Sequence, residues 1–348
     1  MEKNSNIINA INTSLSNGIS FYAFKTNNQD FQFGAQVDKN YCSNEGFKIA
    51  PFIINEENPL SNIYKQYSAD EICSLFTFKE HLSIHRSIQD NSTDFETYAL
   101  SFKDSQRLIQ DKELEKIVLS RIIVEKYTQI NWGELFVHLT EKYPDAFCFI
   151  YNNPQTGAWC GATPELLGSY NGNEFQTMAL AGTKPITDET KWDIKNINEQ
   201  NYVVDFIASI LTKYQIDFKI SNKFNKEAGF VKHLCNGFNA KISDIDTAHD
   251  IIRELHPTPA LAGTPQDKVV PAIPCVEHHA REYYGGYIGY FTQNTFDYYV
   301  NLRSMRFDNN RYKLFVGGGI TDKSQLDSEW TETQNKSKTL MSILHSKK

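Results

Sequence analysis

Strand-like and helix-like segments alternate along this chain without a repeating unit, and the strand-like segments come in hairpins. Residues 117–126 (IVLSRIIVEK) form a run rich in β-branched side chains. AFCFIY (146–151) and AWCGA (158–162) flank Asn-Pro and Thr-Gly turn signals, and Asn171-Gly172 marks another tight turn. The last part reads as strand (286–292), strand (297–307), strand (311–317) and helix (324–345). Two-residue hairpins join antiparallel neighbours, whereas parallel neighbours need a crossover, usually a helix. The pattern predicts an α+β fold with large antiparallel sheets flanked by helices, and not a doubly wound one.

Helical periodicity predicts a helix over 97–115 and another capped by Asn131, with Trp132, Leu135, Phe136 and Leu139 as its apolar stripe. A long helix is expected over 188–214, with Ile194, Ile197, Val204, Ile207 and Leu211 on one side. A further helix starts at Asp246 or Thr247 and is ended by Pro257. No flexible linker interrupts 97–345, so 97–348 is expected to be one domain. Residues 1–96, rich in Asn and Ser, read as strands and loops packed into the same fold.

The net charge of -7 leaves no basic footprint for nucleic acid or an anionic membrane surface. No run of 18 apolar residues occurs, and the first residues lack the apolar core of a signal peptide. Six cysteines are scattered with no CxxC pair, which suits buried thiols in a reducing cytoplasm. His81 and His85 have metal-ligand spacing without a third ligand nearby, so a structural role is expected.

The chemistry gathers beyond residue 97. Gly317, Gly318 and Gly319 precede a helix that carries Glu329 and Glu332 one turn apart. Spacing alone leaves a solvated acidic face as the plain reading. Beside glycines that let a ligand approach, the acids could instead hold Mg²⁺, which bridges one or two carboxylates to an anionic substrate. A phosphate loop is disfavoured because no Gly-Lys-Ser/Thr follows. Lys336, one turn beyond Glu332, adds a positive charge. On the 188–214 helix, Asn196 and Glu199 share a face and could supply a further ligand.

Lys116 opens a strand that should be buried. It either snorkels at the strand end or lies in a polar cleft, where a desolvated lysine could act as a base. Glu165 follows a proline between apolar segments, where it either caps a turn or has a raised pKa and serves as an acid. At Gly182-Thr183 a strand ends and frees backbone groups. ELHPTPALAGTP (254–265) reads as a rigid loop with His256 extended before Pro257. Arg303 sits amid apolar residues of a strand and needs an anionic partner, such as a ligand carboxylate.

Together KIVLSR, GATPELL, ALAGT, the helix with Glu199, LHPTPALAGTP, YGGYIG, LRSM and GGGI followed by EWTETQNK resemble the chorismate-utilising enzymes, and more narrowly the isochorismate synthases. The resemblance spans about 97–345. It implies the chorismate-binding fold shared with anthranilate synthase component I, with 97–348 as the catalytic domain. It also implies Mg²⁺-dependent conversion of chorismate to isochorismate. Glu199 and Glu332 would hold the metal, with Glu329 close by. Arg303, Lys336, Gly318 and Gly319 would hold carboxylates. Lys116 would activate water at ring carbon 2, and Glu165 would protonate the hydroxyl leaving carbon 4. Gly182 and Thr183 would lie beside that hydroxyl, and His256 would line the ring pocket. A cytoplasmic monomer without a glutamine amidotransferase subunit is implied, feeding menaquinone or siderophore synthesis.

Aminating relatives that make aminodeoxychorismate place a lysine where this chain has Ala181, which favours water as the nucleophile. The family's Lys-Asp-x-x-Glu-His reads here as Lys195, Asn196, Ile197, Asn198, Glu199, Gln200. The loss of an acid at Asn196 predicts weaker Mg²⁺ binding. A salicylate synthase, which goes on to eliminate pyruvate, and a non-catalytic chorismate-binding protein are the rival readings.

Overall fold

The computed structural model describes residues 2–26, 29–228 and 231–344. Helix α1 (Glu2–Ser16) precedes strands β1 (Ser20–Lys25), β2 (Gln32–Gln36), β3 (Gly46–Ala50) and β4 (Ser61–Tyr64). Helices α2 (Ala69–Leu75) and α3 (Phe95–Gln110) lead to β5 (Lys116–Lys126), α4 (Trp132–Lys142), β6 (Phe147–Asn153), β7 (Gly157–Thr163), β8 (Leu166–Tyr170) and β9 (Glu174–Pro185). Then come α5 (Ile194–Lys213), β10 (Phe218–Ile220), β11 (Phe224–Ala228), β12 (Val231–Lys241), α6 (Ile245–Leu255), β13 (Gly263–Thr264) and α7 (Gln266–Val276). The chain closes with β14 (Tyr287–Phe291), β15 (Phe296–Val300), β16 (Ser304–Phe307), β17 (Arg311–Ile320) and α8 (Leu326–Leu344).

These strands make two antiparallel sheets. The first, of eight strands, runs β13-β5-β17-β16-β7-β6-β1-β2, and the second runs β10-β12-β9-β8-β15-β14-β3-β4 with β11 on β12. The α+β expectation of large antiparallel sheets holds. Their inner faces meet through aromatic side chains. Phe47 of β3 lies 5.0 Å from Tyr22 of β1 and 6.1 Å from Phe147 of β6, ring centre to ring centre. Among the described residues no helix is long and apolar enough to cross a membrane.

Helix starts follow side-chain caps. Asp94, Asn131, Asp193 and Asp244 each accept a hydrogen bond from a backbone N–H three residues on. The α5 helix therefore begins at Ile194 and not 188, and α6 begins ahead of Asp246 because Asp244 is its cap.

Three expectations need correction. The N-terminal residues are not only strands and loops. Helix α1 buries Ile7, Ala10, Ile11 and Leu15 at helical spacing, and α2 is closed by a Ser68/Glu71 capping box. The strand expected over 311–317 does not stop at Gly317 but runs on to Ile320, so the three glycines are not a loop before the helix. They lie inside β17, paired with Val118, Leu119 and Ser120 of β5. Residues 297–307 are not one strand, because the chain leaves the second sheet after Val300 and joins the first at Ser304.

Phe47 is fully buried between the sheets. Phe47→Ala is expected to lower the unfolding free energy by about 3–5 kcal/mol, read from urea denaturation midpoints at unchanged slope.

Candidate active site

Two strand-to-strand crossings between the sheets lie side by side. At one, β7 passes into β8 through Pro164 and Glu165. At the other, β15 passes into β16 through Asn301, Leu302 and Arg303. The Thr163 hydroxyl donates to Val300 O at 2.7 Å, Val300 N donates to Glu165 O at 2.9 Å, and Ala162 N donates to Arg303 O at 3.2 Å. Arg303 takes φ +48°, a left-handed backbone rare for a long side chain. Such an outlier persists where the surroundings over-determine it, and here both neighbouring strands fix it.

The crossing opens the site. β16 pairs with β17 only from Tyr312 to Leu314, so beyond Leu314 one edge of β17 has no strand partner among the described residues. A cavity of about 1000 Å³ lies there. It is lined by Lys116, Glu165, Gly182, Thr183, Glu199, Arg303, Gly318, Gly319, Glu332 and Lys336. Ten of the twelve residues to which the resemblance gives a catalytic, binding or metal role therefore share one cavity. Glu329 and His256 are absent from its lining.

The glycines are required by what stands on either face of β17. A Cβ at Gly319 would sit 2.6 Å from Lys116 Cε, closer than real Cβ contacts come. One at Gly318 would meet Glu329 Oε2 at 3.3 Å and Glu332 Oε1 at 3.4 Å. Lys336 Nζ donates to Gly317 O at 2.8 Å and pairs with Glu332 Oε1 at 2.7 Å. Lys116 is buried, with its Nζ 3.8 Å from Glu199 Oε2. Glu329 is buried behind the cavity and accepts from the Ser324 hydroxyl at 2.7 Å.

His256 is turned away from the cavity. Its Nε2 lies 3.0 Å from Pro51 O, and its ring packs edge-on against Tyr287. Burial pushes its pKa down to about 4, so it stays neutral as a structural donor to Pro51 O. The extended backbone expected before Pro257 is present.

Burial pushes the Glu165 carboxyl up to about 8, against the opposing pull of Arg303. Arg303 is lowered by burial to about 10 and stays charged at neutral pH. His233 of β12 also lines the cavity, and the sequence reading missed it. Burial and Arg303 lower its pKa to about 3. A guanidinium can only donate, so His233 Nε2 accepts from Arg303 Nη2 at 2.9 Å. Its Nδ1–H then donates to Gly182 O at 2.9 Å, with Thr183 Oγ1 at 3.2 Å. His233 thus links Arg303 to the Gly182-Thr183 backbone. The only local signal was a histidine in an alternating strand pattern, which is common in ordinary cores.

Asn196 does not line the cavity. The strand expected to end at Gly182-Thr183 instead runs on to Pro185 with a bulge against β12 there. Asn196 Oδ1 accepts from Thr183 N at 3.1 Å and its Nδ2 donates to Asp193 Oδ1 at 2.9 Å, so it pins that bulge at Gly182, where φ is +69°. Gln200 is buried and donates to Ala179 O and Asn236 Oδ1, both at 3.0 Å. Among the described residues no three His, Cys, Asp or Glu side chains form a ready metal cage. Glu199 and Glu332, facing one cavity, fit an oxygen-seeking cation that keeps waters and takes its remaining ligands from an anionic substrate.

A family model described as "Chorismate binding enzyme" matches residues 36–345. The chain is 26% identical over 318 residues to isochorismate synthase MenF of Haemophilus influenzae, covering 88% of this chain and 73% of that protein. It is 27% identical over 244 residues to isochorismate synthase EntC of Escherichia coli K12, covering 66% and 62%. The structure of the menaquinone-specific isochorismate synthase MenF from Escherichia coli superposes with a TM-score of 0.82 at 20% identity, covering 98% of this chain and 91% of that one. Anthranilate synthase component I from Streptococcus pneumoniae gives 0.67 at 16% identity, covering 92% of each.

Glu165 yields a stability prediction. Its folded pKa lies above the ordinary 4.5, so the folded protein binds the extra proton between about pH 4.5 and 8. Stability from this group is fully present below that window and is lost as pH rises through it. Glu165→Gln has no proton to lose. Its stability relative to wild type is expected to rise by up to about 1.4 kcal/mol per pH unit between those limits, measured by urea titration at pH 5, 6.5 and 8.

Proposed function

The chain belongs to the chorismate-binding enzyme family, and from that premise we propose that it is an isochorismate synthase. The observation that carries the reading is the pairing of a protonated buried carboxyl, Glu165, with an amine, Lys116, on the walls of one cavity whose cations suit a dicarboxylate.

In the proposed reaction Lys116 in its neutral form takes a proton from water as the oxygen bonds to ring carbon 2. Glu165 gives its proton to the hydroxyl on carbon 4, which departs as water while the ring double bonds shift. One water enters and one leaves, so the net change is isomerisation. Arg303 holds a substrate carboxylate, and neutral His233 keeps its guanidinium aimed. Lys336 and the open edge of β17 at Gly318 and Gly319 serve the other carboxylate. At Ala181, on the cavity wall, no side-chain amine competes with water.

As the structure stands, Glu199 at 3.8 Å favours the charged form of Lys116. Mg²⁺ held by Glu199 and Glu332, with Glu329 behind them, would neutralise those carboxylates together with the ring carboxylate of the substrate. Relatives named for menaquinone and for vibriobactin both occur, and the reaction their names share is the step we assign to this chain.

Chorismate incubated with the protein and Mg²⁺ is expected to reach an equilibrium with isochorismate, seen by separating the products. Lys116→Ala should lower kcat by about 10²–10⁴-fold. Salicylate with pyruvate would make the protein a lyase, and chorismate bound without turnover would make it a binding protein. The rate is expected to fall above about pH 8, where Glu165 loses its proton. Asn196→Asp adds a negative charge one turn before Glu199, from behind the cavity wall and with loss of the hydrogen bond to Asp193. It should saturate at lower Mg²⁺, and an unchanged titration would contradict that.

A further inference from the structure

A buried ion pair that takes no part in this chemistry lies directly behind Lys116. The outer edge of β5 is covered by β13 only at Lys116 and Ile117. Past that point its backbone groups need other partners. Val118 N donates to Ala262 O at 2.9 Å. Val118 O accepts from Arg281 Nη2 at 2.6 Å, and Ser120 N donates to Glu277 Oε1 at 2.7 Å. Arg281 grips Glu277 through Nε at 2.9 Å and Nη2 at 2.6 Å, and its Nη1 donates to Leu261 O at 2.8 Å. Its own carbonyl accepts from Tyr284 N at 2.9 Å. Its guanidinium lies 4.4 Å from the centre of the Phe52 ring.

Both side chains are buried, at 3% exposure for Arg281 and 1% for Glu277. A buried ion pair is a poor source of stability, since apolar residues of similar volume often do as well. What this pair supplies is a fixed join between three walls of the cavity: Val118 on β5, Leu261 on the proline-rich loop, and the turn carrying Tyr284. Lys116 is two residues from Val118 and on the same face. Its stem passes tightly beside Gly319, so a shift of the β5 backbone carries the amine with it.

We propose that Arg281, held by Glu277, is a positioning residue that sets Lys116 against the reacting carbon by fixing β5 to the loop at Leu261. The inference rests on the role given to Lys116 in the preceding reading. Displacement of a reacting group by about 1 Å can cost on the order of 10²-fold in rate.

Arg281→Lys keeps the charge but cannot bridge Glu277, Val118 O and Leu261 O together. We expect this full-length variant to fold, as judged by circular dichroism. Its kcat should fall by about 10–100-fold with KM for chorismate nearly unchanged, because a base acts in the transition state. The loss should shrink in a Lys116→Ala background, since the two residues act in series. Amide hydrogen exchange at Val118 and Ser120 should speed up. A kcat that drops only with the folded fraction, or a loss that multiplies fully with Lys116→Ala, would overturn the proposal, as would unchanged exchange at those amides. If wild type makes no isochorismate, the functional reading falls while the exchange measurement still decides the clamp. Should Arg281→Lys fail to fold, Glu277→Gln, which leaves an acceptor for Ser120 N, faces the same criteria.

Discussion

Everything at the site depends on the two strand crossings being hydrogen-bonded to each other. Sheets packed face to face ordinarily close over their core. Here β7 and β15 both change sheet at the same height, so the sheets part and one edge of β17 is left for a ligand. The residues at the crossings are the ones that cannot run straight on: Glu165 after a proline, and Arg303 at positive φ. The chain thus places an acid and a cation where the two sheets separate, on backbone held from both sides.

Burial then sorts the charges. Glu165 lies in a dry place near a guanidinium, and desolvation still dominates, so the carboxyl keeps its proton. His233 lies between Arg303 and a carbonyl and stays neutral, so it can accept from the arginine. Glu277 shows the opposite result. Burial raises its pKa, but Arg281, His279 and the Ser120 amide together bring it below the ordinary range. The charge of Arg281 in direct contact is the largest opposing pull, followed by His279 and then by the hydrogen bonds from Arg281 and the Ser120 N–H, and together they keep this carboxylate ionised.

Much of this was legible in the sequence. Hairpin signals and the absence of a βαβ series pointed to antiparallel sheets, and the Asn131 cap fixed the start of α4, while α5 starts at Ile194 and not 188. Lys116, Glu165 and Arg303 stood out as charges amid apolar residues, and Glu329 and Glu332 as acids beside glycines, whereas Glu199 and the gathering of these residues at one site came from the resemblance to the family. Other features were hidden for physical reasons. A strand that changes sheet keeps its β-type pattern through the break, so 297–307 read as continuous. Three glycines usually mark a loop, and nothing local shows that two faces of a strand are crowded. His256 sat in a conspicuous loop, yet its ring serves Pro51. His233, in a plain strand, meets Arg303 seventy positions away in the chain. Long-range partnerships of that kind leave no periodic trace.

The crowding around β17 has a consequence for altering the enzyme. With Lys116 against one face and two carboxylates against the other, a larger residue at Gly318 or Gly319 would push the lysine or the acids aside, so that wall tolerates change only at the expense of the site. Freedom to change which nucleophile enters, or what leaves, is confined to the opposite side, where Ala181, Val231 and Leu302 face the cavity with side chains of their own. Directed evolution of this scaffold would find its useful diversity there. Libraries over Gly318 and Gly319 would mostly displace the lysine and the acids that the site needs.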